Sequence, residues 1–194
     1  MSQYLPGIPV VILLIAINVS IFALMFVANP SGQWDSNYLI SWGADYGRLT
    51  LQGQFWRLFT STFLHFNLIH IAGNMGCLFY WGSVTERALG SRLFLLSYCL
   101  SGVLGSLASV LANPQAVSAG ASGAIAGIFG IMCVMWLRGD ARVSKQDILA
   151  NLSINVGLSA TAGVDWIAHL GGLIGGLILG ALLLPTNNKA EEAQ

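Results

Sequence analysis

A long uncharged stretch in the middle of the chain does most to limit how it can fold. The roughly 45 residues between Arg92 and Arg138 contain no Asp, Glu, Lys or Arg. Because one helix crosses a bilayer with about 20 apolar residues, a stretch of this length predicts two membrane crossings. The composition agrees, with 55% hydrophobic residues, 8% charged residues and a mean hydropathy of +0.71. The sequence therefore predicts an all-α integral membrane protein.

Apolar runs predict six membrane-spanning helices within a single domain, 1–194. The runs are separated by Pro, Asn, Gly or charged residues, which end or interrupt helices. The predicted spans are about 8–28, 67–84, 93–112, 122–138, 148–162 and 165–184, with a loop at 29–66 and a polar tail at 185–194. The first span has no basic stretch before it and no small-residue cleavage site after it, so we expect it to be retained.

The distribution of Lys and Arg predicts the orientation of the bundle, since these residues favour cytoplasmic loops. With a cytoplasmic N-terminus, only Arg48 and Arg57 fall on the outer side. The residues that fall inside are Arg87, Arg92, Arg138, Arg142, Lys145 and Lys189. Both termini are therefore expected in the cytoplasm, and loop 29–66 on the outer face.

The outer loop carries aromatic residues at every fourth position, namely Trp34, Tyr38, Trp42 and Tyr46. Aromatic rings favour the headgroup level of a bilayer, so one interpretation is a loop that lies partly in the membrane interface. The other interpretation is an ordinary ordered loop outside the membrane.

Several function classes are disfavoured by the composition. A net charge of zero and the lack of a basic cluster argue against a nucleic-acid partner. Cys77, Cys99 and Cys133 have unrelated spacings and form neither a metal-binding pattern nor a disulfide framework. No H-E-x-x-H motif is present, which argues against a zinc protease. A proton-relay transporter or channel is disfavoured because the spans lack paired carboxylates. We expect neither a metal nor a cofactor.

The polar residues inside the apolar spans are the candidates for function, because ionisable groups are costly there. His65, His70 and His169, the only histidines, all lie at or within predicted spans, and Ser122 opens the fourth span. A polar bridge between helices is the ordinary explanation for one such histidine. Three histidines together with a buried serine favour a catalytic site.

Small residues lie beneath both Ser122 and His169 and would allow the two helices to pack closely. The stripe below His169 consists of Gly172, Gly176 and Gly180, and the stripe below Ser122 includes Ala126 and Gly130. Helices with such stripes can pack backbone to backbone, which would bring the serine and the histidine to the same depth. A Ser–His contact is the minimal arrangement for nucleophilic catalysis.

His70 and Asn74 are one helical turn apart on the second span and share a face. An imidazole N–H and an amide NH₂ in a dry site are good donors to an oxyanion. Backbone N–H groups at the start of the fourth span, including that of Ser122, would add to them.

The combination of motifs resembles the rhomboid intramembrane serine proteases. Gly120-Ala121-Ser122-Gly123 resembles the family's G-x-S-G motif, His70-x-x-x-Asn74 its second-span motif, and Ala168-His169-x-x-Gly172 its last-span motif. Trp56-Arg57 resembles a pair in the family's first outer loop, and Glu86-Arg87 the signature that ends its second span. The resemblance covers essentially the whole chain, with the motifs in family order.

The resemblance implies a six-helix rhomboid bundle with a cavity open to the outer side. It also implies a catalytic dyad of Ser122 and His169, with His70, Asn74 and the Ser122 backbone forming the oxyanion hole. The residues implied to give structural support are His65, Trp56, Arg57, Glu86, Gly120, Gly123 and Gly172. The implied partners are single-span membrane proteins as substrates and the membrane lipid, and a bacterial plasma membrane is the expected location.

Two positions leave alternatives open. Family members often carry an aromatic ring one turn after the serine, and here that position is Ala126. Either another ring holds His169, with Trp166 and Phe129 as the candidates, or the imidazole is less firmly oriented. Asp165, one turn before His169, is either a third catalytic residue or a helix N-terminal carboxylate, and its geometry favours the second. The alternative function is a non-catalytic relative that binds transmembrane segments.

Overall fold

The chain folds almost entirely into helices. A computed structural model describes residues 9–32, 34–159 and 165–185, without the side chains of 155–159. Residues 8 and 160–162 of the predicted spans, and 186–194 of the predicted tail, lie outside these ranges. The elements are α1 (Val10–Ala28), α2 (Ser36–Trp42), β1 (Asp45–Tyr46), α3 (Gly47–Thr50), α4 (Arg57–Thr60), a 3₁₀ turn (Ser61–Phe63), α5 (Leu68–Cys77), a π-helix (Leu78–Gly82), α6 (Ser83–Leu89), α7 (Ser91–Ala112), β2 (Val117–Ser118), α8 (Ser122–Leu137), α9 (Lys145–Ser159) and α10 (Trp166–Leu183).

Three of the described helices, α1, α7 and α10, are long and apolar enough to cross a membrane, and α8 is apolar but shorter. The predicted second span is part of a longer helical stretch, in which α5, the π-helix and α6 follow one another without a break. That stretch continues to Leu89 because the backbone reverses only at Gly90, whose φ is +78°. This φ is open to glycine and strained for other residues.

The helix α8 forms the centre of the bundle. All of its residues from Gly123 to Met132 are buried, as expected for a helix that is apolar on every side. It packs against α7 and α10. A Cβ atom at Gly172 of α10 would overlap the carbonyl oxygen of Gly123, and one at Gly176 would overlap that of Gly127. The prediction that small residues bring α8 and α10 into backbone contact is confirmed.

Glu86 ties the second helical stretch to the start of α1. Its carboxylate accepts hydrogen bonds from the backbone N–H groups of Val10 and Val11, at 2.8 and 3.0 Å, and from the Ser91 hydroxyl at 2.6 Å. The first N–H groups of a helix have no partner within it, and a negative charge is favourable beside them. Glu86 therefore has a structural contact, as the sequence predicts.

The predicted outer loop, 29–66, is an ordered segment that contains short helices and a strand. The rings of Trp34, Tyr38 and Trp42 form a ladder with centroids 5.7 and 6.2 Å apart. Phe55, Trp56 and Phe59 are instead exposed. Strand β1 pairs antiparallel with β2, with Asp45 opposite Ser118, so the segment is joined to the residues that precede α8.

Asp45 is a fully buried carboxylate at this strand pair. One oxygen accepts a hydrogen bond of 2.5 Å from the Thr50 hydroxyl, and the other has no partner among the described residues. Burial raises the pKa of Asp45 from 3.8 to about 6. The Thr50 hydrogen bond and the Arg57 charge lower this pKa, whereas the Asp165 charge raises it.

Asp45→Asn is expected to stabilise the protein at alkaline pH. Because the pKa of Asp45 in the folded protein lies above its unfolded value, the stabilisation from this group is complete below about pH 4 and is lost as the pH rises through about 6. One pKa unit corresponds to about 1.4 kcal/mol, so the amide should raise the free energy of unfolding by about 3 kcal/mol at pH 8. Thermal melts in detergent at pH 4 and pH 8 measure the difference. An equal effect at both pH values would contradict the expectation.

Candidate active site

The residues predicted to carry catalysis meet in one cavity. Its volume is about 960 Å³, and its walls come from segment 29–66, α5, the residues before α8, and the first turns of α8 and α10. Ser122, His169, His70 and Asn74 all line it, as do Gly120 and Gly123. The sequence prediction that these elements converge is therefore confirmed, while the roles of the residues are a separate question.

Segment 29–66 fixes the loop that leads into Ser122. The Gly120 N–H donates to the carbonyl oxygen of Ser61 at 2.9 Å, and the Ala121 N–H donates to Nε2 of the buried His65 at 3.4 Å. These two N–H groups are engaged and cannot serve a ligand. The N–H groups of Ser122 and Gly123, the first two of α8, have no hydrogen-bond partner in the described part of the chain.

Gly120 allows the His70 ring to lie directly against this loop. Its φ is +141°, and a Cβ atom there would lie 2.8 Å from Cε1 of His70 and 3.5 Å from Oγ of Ser122. Phe66 stacks on the same imidazole with ring centroids 5.9 Å apart, and His65 approaches it edge-on at 5.1 Å. His70 is thus held close to Ser122 by packing on several sides.

Asn74 presents an unused donor to the cavity. It is 8% exposed, and its Nδ2 has no hydrogen-bond partner among the described residues. A buried amide without a partner is costly and is explained by a water molecule, an ion or a catalytic role. Because Asn67 caps α5 by accepting the His70 N–H at 2.9 Å, the helix begins just above the His70–Asn74 face.

His169 lies in the first turn of α10. Trp166 is the ring that contacts it, edge to face with centroids 6.2 Å apart. Of the two rings that the sequence suggested in place of an aromatic at Ala126, the structure therefore supports Trp166, whereas Phe129 is buried within α8. No hydrogen bond joins Ser122 and His169 within the described residues, and such bonds are often long before substrate binds.

Asp165 is the N-cap of α10. One carboxylate oxygen accepts the Ala168 N–H at 2.9 Å, and the other accepts the Ser109 hydroxyl at 2.5 Å. It makes no hydrogen bond to the His169 ring among the described contacts. The interpretation as a helix N-terminal carboxylate is confirmed.

Trp56 and Arg57 lie outside the cavity walls. Arg57 donates to the carbonyl oxygens of Ile40 and Ala44, both at 2.8 Å, and its guanidinium lies 4.6 Å from the Trp56 ring centroid. These contacts hold the end of α2, so the pair shapes segment 29–66 without lining the cavity.

Sequence reasoning missed several residues of the cavity. Cys77 and Trp81 line it below Asn74, and Ser106 lines it from α7. Cys77 and Trp81 continue the His70–Asn74 face by further turns, a spacing that could have indicated them. No such signal marks the carbonyl of Ser61. Among the described residues, no cluster of three or more His, Cys, Asp or Glu side chains could hold a metal ion.

A family model described as the Rhomboid domain matches residues 52–186. The chain belongs to the rhomboid family. This match and the apolar helices identify it as an integral membrane protein. The matched region contains all the residues that line the cavity, apart from those of segment 29–66 that precede residue 52.

Curated rhomboid relatives include both proteases and rhomboid-like proteins. Rhomboid protease GluP of Bacillus subtilis is 37% identical over 88% of this chain and 34% of its own length. RHOMBOID-like protein 7 of Arabidopsis thaliana is 36% identical over 82% of this chain and 53% of its own length. The putative rhomboid protease YdcA of Bacillus subtilis is 33% identical over 71% of each chain. The chain thus spans about a third to a half of the first two relatives.

Proposed function

We propose that this rhomboid protein is an intramembrane serine endopeptidase that cleaves the transmembrane segments of membrane proteins. The observation that carries the proposal is the convergence of Ser122, His169 and the unpartnered Asn74 amide on one cavity. The similarity of this chain to Rhomboid protease GluP of Bacillus subtilis supports the same conclusion.

The proposed reaction begins with attack of Ser122 Oγ on the scissile carbonyl carbon. His169 takes the hydroxyl proton and returns it to the leaving amine, which gives an acyl-enzyme. Water, activated by the same imidazole, then hydrolyses the ester and restores the serine. Asp165 is not proposed as an acidic third residue, because its carboxylate accepts hydrogen bonds from Ala168 and Ser109.

The oxyanion is proposed to bind where three donors converge. These are the Asn74 amide, a ring N–H of His70 and the backbone N–H of Ser122, which lies at the N-terminus of α8. The Gly120 and Ala121 N–H groups are excluded from this role because they bind Ser61 and His65. The Ser122 N–H is therefore proposed as the backbone donor.

The proposed setting is a bacterial plasma membrane, with six spans and both termini in the cytoplasm. The cavity then opens toward the outer face, where single-span substrates would enter near the outer end of their helix. Because a helical peptide bond is shielded, segments with helix-weakening residues should be the better substrates.

Labelling with a fluorescent fluorophosphonate, which reacts with activated serines, tests the proposal. The purified protein in detergent is compared with Ser122→Ala, His169→Ala and the control Ser118→Ala, which removes another serine of the cavity wall. Wild type and Ser118→Ala are expected to be labelled, and the other two are not. Equal labelling of all four would contradict the dyad. A folded wild-type protein that is not labelled would favour a non-catalytic rhomboid-like protein.

A further inference from the structure

We propose that Ser109 and Asp165 are positioning residues, which hold His169 in place through the first turn of α10. The inference rests on the proposed function, because it assigns a task to two residues outside the proposed dyad. It concerns how His169, which has no acidic partner in the described part of the chain, is kept at the correct position relative to Ser122.

The orientation of His169 is not fixed by a hydrogen bond to its ring. Among the described residues, no hydrogen bond to the imidazole is present, and its aromatic contact is the edge-on one with Trp166. Trp166 belongs to the same first turn and is 53% exposed, so it moves together with the histidine. The location of the imidazole therefore depends on where the first turn of α10 sits against the rest of the bundle.

The Asp165 carboxylate fixes this turn from within α10. Its Oδ1 accepts the N–H of Ala168, the residue directly before His169, at 2.9 Å. Its carbonyl oxygen accepts the His169 N–H at 3.1 Å. A side chain at the N-cap that accepts from the third residue of the helix satisfies a donor that otherwise has no partner.

The second carboxylate oxygen fixes the same turn to α7. Ser109, only 3% exposed, donates its hydroxyl to Oδ2 of Asp165 at 2.5 Å. One turn earlier on α7, Gly105 lies so near α10 that a Cβ atom there would be 2.6 Å from the Ala168 carbonyl oxygen. Two successive turns of α7 thus contact the first turn of α10, with Ser109 at Asp165 and Gly105 at Ala168.

This arrangement gives Asp165 a task different from that of a triad acid. A triad acid binds the imidazole, whereas Asp165 binds the backbone that carries it and a neighbouring helix. Loss of the Ser109 hydroxyl would leave the N-cap intact and remove the hydrogen bond that ties the start of α10 to α7 at the depth of the cavity. A displacement of about 1 Å at a reacting group can cost about a hundredfold in rate.

The test measures the rate and the final extent of fluorophosphonate labelling in Ser109→Ala, Asp165→Ala and Asp165→Asn. Ser109→Ala is expected to react about tenfold more slowly, and Asp165→Ala more slowly still. Asp165→Asn should stay within about threefold of wild type, because an amide accepts from Ala168 and donates to Ser109. The matched control is Ser97→Ala, which removes a buried α7 hydroxyl that has no partner among the described residues.

The two readouts separate positioning from folding. A positioning role predicts a slower rate with full final labelling, and an unchanged KM with a lower kcat for a cleaved substrate. A merely structural role predicts a smaller labelled fraction that reacts at the wild-type rate, and this result would overturn the inference. So would Ser109→Ala reacting like Ser97→Ala, or Asp165→Asn reacting as slowly as Asp165→Ala. If wild type were not labelled at Ser122, the proposed function itself would fail.

Discussion

Cleavage of a transmembrane substrate is expected to fall at least about 10⁴-fold in Ser122→Ala and in His169→Ala, and no further in the double variant. The reason is that the two side chains act in one step, in which the serine attacks only while the histidine accepts its proton. Once either is removed, the other has nothing to contribute. The residual rate then comes from the oxyanion donors alone.

Initial rates measured by gel on a single-span substrate in detergent test this expectation. Ser118→Ala serves as the control, since it alters the same cavity wall without touching the proposed dyad. If the losses in the two single variants multiplied in the double variant, Ser122 and His169 would act independently, and a shared proton transfer would be wrong.

Gly172→Ala is expected to prevent the native packing of α8 against α10. The added Cβ would overlap the Gly123 carbonyl oxygen, which belongs to helix backbone and cannot swing aside as a side chain can. Adding a methyl group to a close-packed core costs about 1–3 kcal/mol, and contact with the Gly123 backbone places this site at the upper end. Gly123 directly follows Ser122, and Gly172 lies one turn after His169 on α10. A shift between these helices would separate the two side chains, so activity should be lost together with stability.

Thermal unfolding followed by circular dichroism provides the measurement, with Gly76→Ala as the matched control. Gly76 also lies within a helix, but a Cβ atom there would meet nothing within 4 Å, so alanine should be tolerated or slightly stabilising. Equal melting temperatures for the two variants would show that α8 and α10 can separate without cost.

The main features of the fold could be predicted because the strongest signals in a membrane sequence are local. The uncharged run between Arg92 and Arg138 is enough to predict α7 and α8, and the glycines after His169 predict its packing. The candidate site followed because polar residues in apolar spans are few and stand out. The N-cap role of Asp165 could be foreseen from its position before the last helix.

Other features depend on contacts between distant parts of the chain and leave little trace in the sequence. The bond from Gly120 to the Ser61 carbonyl uses backbone atoms that every residue possesses. The pairing of β1 with β2 involves only two residues on each side, too few for an alternating pattern. The π-helix at Leu78–Gly82 has no distinctive residue, since its wider turn differs from an α-helix only in which backbone groups pair. Ser109 is one of several serines on α7, and only its neighbour in space distinguishes it.

The anchoring of the Ser122 loop by segment 29–66 has an evolutionary consequence. Contacts with Asp45, Ser61 and His65, which lie 56 to 73 positions earlier in the chain than their partners, hold the loop in its shape. Among these contacts His65 acts through its side chain, so a substitution at His65 changes which residues the loop tolerates. The two segments should therefore vary together among relatives. A hybrid protein that takes them from different parents would keep every motif but would hold the Ser122 loop in an altered shape.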